Sequence, residues 1–279
     1  MSDELMPVSK NGRTAMDVAL EAARAAGSIL RDKFHSEHEV HFKGRSDIVT
    51  DVDLAAEKTI IELLNGEFPE FSILAEESKP VDGDSPYKWV VDPLDGTDNY
   101  SRGQPQFCVS VVHTVGTKPD VAAIFDPIRD ELFTVVRDGE VLLNGRPIAV
   151  TDCDDPSSCA VAWAQRGVDP DDERRFNAAL AEAARVFHRV RLTGSAALET
   201  AWVAAGRYDG ALFSNVKWWD HAGVGLLVQE AGGRVTDVRG EPTGPESRRC
   251  VFSNGRIHDA ILGIAATHRL ELPFTKAPG

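Results

Sequence analysis

The chain has little of what would commit it to nucleic acid, to a membrane or to a disulfide scaffold. Its 30 Lys and Arg are outnumbered by 44 Asp and Glu, a formal net charge of -14. That is the opposite of the basic surface that displaces counterions from a phosphate backbone, so nucleic acid is not expected as a partner. No apolar run approaches the roughly 20 residues that cross a bilayer, and no membrane contact is expected. The opening stretch lacks the basic end and apolar block of a secretory signal. Residues 1–13 therefore read as a flexible tail, and the protein as cytoplasmic. The four cysteines, Cys108, Cys153, Cys159 and Cys250, are too few for a disulfide framework in 279 residues and lack the short paired spacing of a zinc site. Reduced, structural thiols are the expectation. Internal repeats and low-complexity tracts are missing too.

What is present is globular: 42% of residues are hydrophobic and 27% charged, enough chain for one large domain or two tightly joined halves. From Thr14 to Phe34, apolar residues recur every three or four positions (Met16, Leu20, Ala23, Ala26, Leu30), which predicts an amphipathic helix. Residues 35–46 show no period and read as a surface loop that can close as a lid, with Gly44 as pivot and Lys43 and Arg45 near a bound phosphate. Thr50 caps a second helix, Asp53 standing three places on, and that helix stops near Asn65-Gly66. Short β-like runs follow at 71–74, 89–91, 107–115, 121–125, 131–136 and 140–143, close enough together for an antiparallel sheet. The polar, proline-bearing stretch 151–158 separates an N-terminal half, 14–150, from a C-terminal half, 151–270. The second half alternates strands near 159–163, 190 and 211–214 with helices over 172–187, 196–205 and about 220–231, the last ending at Gly232-Gly233.

Four acidic clusters carry chemistry. In Trp89-Val90-Val91-Asp92-Pro93-Leu94-Asp95-Gly96-Thr97, a buried strand ends in two carboxylates, Pro93 interrupts its hydrogen-bond ladder, and Gly96 opens a turn whose N–H groups, with those of Thr97, face an anion. Two fixed carboxylates repel unless a proton or a hard cation intervenes. Glu76-Glu77 ends a second apolar run, and neighbouring strands of one sheet would bring the two acidic ends together. In Asp47-Ile48-Val49-Thr50-Asp51-Val52-Asp53, capping and the helix dipole account for Thr50, Asp51 and Asp53, which leaves Asp47 freer for chemistry. In Trp218-Trp219-Asp220-His221, Asp220 reads as a helix cap and His221 as a first-turn partner. Asp98 reads as the cap of a helix after Thr97. An acidic chain and an anionic substrate become compatible once metal ions reverse the sign of the site.

Together with Gly194-Ser195-Ala196 and Glu230-Ala231-Gly232-Gly233, these segments resemble the inositol monophosphatase family of Mg2+-dependent, lithium-sensitive phosphomonoesterases, in order and spacing over residues 16–265. The resemblance implies an α/β (α+β) fold, the layered α/β/α/β/α sandwich of the inositol monophosphatase and fructose-1,6-bisphosphatase type, assembled as a homodimer. It implies that Glu76, Asp92, the backbone carbonyl of Leu94, Asp95 and Asp220 hold about two or three Mg2+ ions. Asp47 and Thr97, with Glu76 close by, would hold the attacking water. The phosphate would lie on the metals and the N–H groups of Gly96 and Thr97, and Gly194, Ser195 and Ala196, together with Asp95 and Asp220, would receive the leaving group.

Where inositol-specific relatives place a Glu, seven residues before Asp220, this chain has Phe213, which cannot accept a hydrogen bond from a sugar hydroxyl. The expected activity is thus hydrolysis of a small polar phosphomonoester, inositol-1-monophosphatase-like, by metal-activated water. Histidinol phosphatase, fructose-1,6-bisphosphatase and 3'(2'),5'-bisphosphate nucleotidase are the alternatives, and a regulatory protein contacting the transcription machinery is the non-enzymatic one. Lys217 could meet a second charged group of the substrate.

Overall fold

Apolar side chains alternate along the central strands, and that alternation dictates layers. Trp89 and Val91 pack into one core and Val90, between them, into another; Val161 and Trp163 are likewise divided from Ala162. The computed structural model describes residues 7–44, 47–165 and 169–274. Residues 1–6 of the expected tail, Arg45 and Ser46 of the expected lid and the side chain of Asp47 lie outside the described residues.

In chain order the elements are α1 (Ala15–Lys33), β1 (Val40–Gly44), β2 (Asp47–Thr50), α2 (Asp51–Glu67), β3 (Ser72–Ala75), β4 (Tyr87–Asp95), α3 (Thr97–Ser101), β5 (Cys108–Val115), β6 (Lys118–Asp126), β7 (Glu131–Val136), β8 (Leu142–Leu143) and β9 (Arg146–Pro147). There follow β10 (Ala160–Gln165), α4 (Pro170–Val186), β11 (Arg189–Arg191), α5 (Ala196–Ala204), β12 (Gly210–Ser214), α6 (Trp218–Glu230), β13 (Arg234–Asp237), β14 (Arg249–Ser253) and α7 (His258–Thr267). Helices α1 and α2 pack together on one face of a sheet of order β3-β4-β5-β6-β7-β8-β9, antiparallel except for the parallel pair β3-β4. Helices α5 and α6 fill the space between that sheet and a second one, β11-β10-β12-β14-β13. Helices α4 and α7 cover the second sheet's outer face through Phe176, Ala179, Ile261 and Ile264. The stack is the α/β/α/β/α sandwich.

The middle core takes Val90, Val112 and Ile124 from before residue 150 and Ala162, Phe213 and Phe252 from after it, so the two halves of the chain share one interior. Residues 35–46, read as a loop, contain β1, which pairs antiparallel with β2 from Val40↔Thr50 to Gly44↔Asp47. His41, Phe42 and Lys43 are exposed, and a strand that buries neither face imposes no apolar alternation on its sequence. Past Gly233, where periodicity yielded no assignment, β13, β14 and α7 complete the second sheet and its cover. Among the described residues no helix is long and apolar enough to cross a membrane.

Candidate metal centre and active site

The parallel register of β3 and β4 sets Ala75 beside Val91, so Glu76, just past β3, reaches the level of Asp92. The β4-β5 ladder is regular as far as Asp92↔Ser110 and resumes only at Asp95↔Cys108. Pro93 has no N–H to give, and the resulting irregularity brings both carboxylates to one side. Asp220 arrives from the first turn of α6. The buried Asp92, Asp95 and Asp220 offer carboxylate oxygens within 4.8 Å of one another.

Each of the three is held by donors of its own neighbourhood. Asp92 Oδ1 accepts the Leu94 N–H at 3.0 Å. Asp95 Oδ2 accepts the Ala197 N–H at 2.8 Å and the Ser195 hydroxyl. Asp220 Oδ2 accepts the Lys217 N–H at 2.7 Å. That last bond corrects the expectation that Asp220 is itself the cap: Trp218 and Trp219 are already helical, Lys217 is the N-cap, and Asp220 stands at the third helical position.

Burial pushes the Asp92 carboxyl well above the usual carboxylate range, and Glu76, Asp95 and Asp220 add to it in that order. Glu76 also hydrogen-bonds Asp92, a contact two carboxylates make only by sharing a proton. Hard oxygen donors crowded into a desolvated pocket, with one proton retained to relieve them, fit a divalent ion such as magnesium. From the β1-β2 hairpin, Lys43 Nζ stands 3.6 Å from Glu76 and 2.7 Å from Glu77.

The Thr97 hydroxyl lies 3.0 Å from two acceptors, the Leu94 carbonyl and Asp53 Oδ1. Asp53, for which the sequence predicts only a capping role, thus stands beside Thr97; the side chain of Asp47, expected there, lies outside the described residues. Asp53 is also the cap partner, its Oδ2 accepting the Thr50 N–H at 2.9 Å. Burial raises its carboxyl to about 6 against the hydrogen bonds from Thr50 and Thr97. A capping box occupies one oxygen of a carboxylate, and the second was the overlooked signal.

Gly96 takes φ 100, and a Cβ there would stand 2.7 Å from the Gln106 carbonyl, so the turn into α3 requires glycine. Gly96, not Asp98, is the cap of α3; Asp98 sits in the first turn and pairs with Arg102 at 3.0 Å. Asn99 Nδ2 donates to the carbonyls of Gln106 and Thr193, both at 2.7 Å, tying α3 to the loop that carries Gly194 and Ser195. A cavity of about 110 Å³ adjoins the carboxylates, and its lining includes Asp95, Gly194, Ala196, Phe213, Asn215 and Asp220. Ser195, expected to line it, is fully buried with its hydroxyl on Asp95; it orients that carboxylate instead. Lys217 is not part of that lining. His221 is buried edge-on against Trp218, its ring pushed down to about 4 by burial, and it stays apart from the carboxylate group.

A sequence profile described as the inositol monophosphatase family matches residues 12–270. The chain is 37% identical over 260 residues to the protein named Nus factor SuhB of Xylella fastidiosa, covering 89% of this chain and 93% of that one. It is 36% identical over 261 residues to inositol monophosphatase 3 of Solanum lycopersicum, covering 88% and 94%. Among solved structures, the extragenic suppressor protein suhB from Bartonella henselae superposes with a TM-score of 0.86 at 34% identity, covering 89% of this chain and 97% of that chain.

Proposed function

The chain belongs to the inositol monophosphatase family, and from that membership we propose that it is a Mg2+-dependent phosphatase hydrolysing a small polar phosphomonoester, inositol-1-monophosphatase-like, with water as nucleophile. The observation that carries this reading is the convergence of the Asp92, Asp95 and Asp220 oxygens within 4.8 Å beside Glu76. Magnesium, when bound, supplies the positive charge that gathers phosphate and makes water a better nucleophile at neutral pH. Glu76, Asp92, the Leu94 carbonyl, Asp95 and Asp220 would hold it.

The chain's own groups do the rest. Thr97 Oγ1, while it donates to Asp53, keeps lone pairs for a hydrogen of the attacking water. A proton leaving that water passes toward Asp53, whose raised proton affinity, near 6, suits a base working near neutrality. The N–H groups of Gly96 and Thr97, at the start of α3, would face the phosphate. Gly194, Ala196 and Phe213 would receive the leaving group, while Ser195 and the Ala197 N–H keep Asp95 aimed. Among the described residues the carboxylates lining the cavity are Asp95 and Asp220, both assigned to metal, so with Phe213 no further carboxylate is left to accept from an inositol hydroxyl, which keeps histidinol phosphate, sugar bisphosphates and nucleotide bisphosphates among the candidate substrates.

Phosphate release measured over those compounds and inositol phosphates, with Mg2+ and with chelator, tests the reading. Mg2+-dependent turnover on at least one of them, inhibited by lithium, is expected; no release from any would refute it. A second reading, a regulatory role, is favoured by the 37% identity to a protein named as a Nus factor. It predicts association with a transcription complex by the Asp92→Asn variant as well as by the unaltered chain. A cytoplasmic homodimer is part of the first reading, and light scattering on the purified chain checks the assembly.

A further inference from the structure

The connection from β9 to β10 brings two of the four cysteines together, at the end of β12 remote from the cavity. A single 3₁₀ turn, Pro156–Ser158, is capped by Asp155, and the Cys159 N–H returns to the Pro156 carbonyl at 3.1 Å. That turn folds Cys159 back onto Cys153, with the two sulfurs 2.6 Å apart. Both thiols point at one acceptor, the Asp155 carbonyl, at 3.2 Å from Cys159 and 3.7 Å from Cys153. The backbone on either side is pinned to the sheet. Asn254 Nδ2 donates to the Cys153 carbonyl at 2.8 Å, and the Ala160 N–H donates to Asp209 Oδ2 at 2.7 Å. Cys159 is fully buried and Cys153 half-buried.

Asp209 completes a three-residue group of metal-ligand type, yet the geometry disfavours a metal. Both Asp209 oxygens already accept, one from the Thr151 hydroxyl at 2.5 Å and one from the Ala160 N–H. Two thiolates bound to one zinc at about 2.3 Å stand about 3.8 Å apart. Sulfurs at 2.6 Å are closer to the disulfide bond of about 2.0 Å. We propose that Cys153 and Cys159 form a reversible redox pair, closing to a disulfide at the junction between the two halves of the chain.

Oxidation starts at Cys153, the sulfur that solvent reaches; burial, then Cys153 itself, pushes the Cys159 thiol up and keeps it protonated. The Cys153 sulfur gives an electron pair to a hydroperoxide oxygen, the O–O bond breaks, and an alcohol or water leaves, so that Cys153 becomes a sulfenic acid. The Cys159 sulfur then attacks the Cys153 sulfur; the S–S bond forms, the S–O bond breaks, and the thiol proton leaves with the hydroxyl as water. Two thiols have lost two electrons and two protons, and the peroxide is reduced by the same two electrons. A dithiol reductant reverses the change by attacking one of the sulfurs and leaving as its own disulfide.

The test treats the full chain with hydrogen peroxide, alkylates it under denaturing conditions and weighs its peptides. The expected product is an internal Cys153–Cys159 bond, about 2 Da lighter than the dithiol, restored by dithiothreitol and accompanied by a Tm a few degrees higher. Cys153→Ser and Cys159→Ser should each abolish the mass change and the Tm shift. Recovery of both as alkylated thiols, capture of Cys153 only as higher oxides, or one zinc per reduced chain that either variant loses would overturn the proposal. Should Cys159→Ser not fold, the peptide mass of the unaltered chain and the half-buried Cys153→Ser variant decide the question.

Discussion

Replacing Asp92 by Asn should separate the stability of the protein from its use of metal, and in opposite directions. The oxygens of Asp92, Asp95 and Asp220 are at most 4.8 Å apart. Two unit charges at that distance repel by about 3.5 kcal/mol at an effective dielectric constant near 20. Asp92 belongs to two of the three pairs, so full ionisation would set about 7 kcal/mol against folding. The metal-free chain avoids most of this by retaining a proton on Asp92, in line with its raised carboxyl. Asn removes the residue of the repulsion, about 1–2 kcal/mol, or about 2–8 °C in Tm for a chain of this size. The amide oxygen of Asn can go on accepting the Leu94 N–H that Asp92 accepts at 3.0 Å, so the local turn survives.

With Mg2+ at a hundred times its Kd, the unaltered chain gains about 2.7 kcal/mol, most of which the variant forfeits with a ligand charge. The order of stabilities therefore inverts: Asp92→Asn melts higher in chelator and lower in saturating Mg2+. Calorimetry under both conditions, alongside phosphate release, reads the crossing directly. A variant that melts below the unaltered chain in chelator and gains just as much from Mg2+ would refute the metal-centre reasoning, whatever happened to activity.

Thr97→Val removes the hydroxyl that stands 3.0 Å from both Asp53 and the Leu94 carbonyl; kcat should fall about a hundredfold or more and Thr97→Ser should restore most of it, whereas a Val variant with unchanged kcat would eliminate the proton path. His221 has its proton affinity pushed down to about 4 from 6.5, so below pH 6.5 the unfolded chain takes a proton that the folded one refuses. Stability present above pH 6.5 is lost as pH falls toward 4, about 3 kcal/mol in full. His221→Phe should lessen the fall of the urea midpoint over that interval, His258, likewise pushed down to about 4 by burial, keeping its own share, and parallel pH profiles for the two proteins would count against a neutral buried ring.

What was legible in the sequence was whatever one element settles by itself. The unbroken apolar run Trp89-Val90-Val91 identifies a strand buried on both faces, and the acidic ends of two such runs meet because β3 and β4 are neighbours, Ala75 opposite Val91. Strand β1 was hidden because residues 40–43 are exposed on both faces and carry no apolar period. Thr97 and Asp53 are 44 residues apart and Ser195 and Asp95 100 apart, and no local pattern encodes either approach. Cys153 and Cys159 meet through a proline turn that carries no zinc-like spacing.

A subtler reason explains why capping and catalysis looked like rival readings of the same residues. A carboxylate has two oxygens, and in this site a backbone N–H fixes one of them in case after case: that of Thr50 for Asp53, Leu94 for Asp92, Lys217 for Asp220 and, from a distant segment, Ala197 for Asp95. Each such bond holds a side chain that could otherwise rotate, so the anchoring that resembles ordinary capping is what aims the remaining oxygen before any ligand arrives. An acidic residue that satisfies a capping box is therefore not disqualified from a functional role. When its second oxygen is buried against a hydroxyl 44 residues away, as in Asp53, the cap would hold in place the proton-accepting role proposed for it.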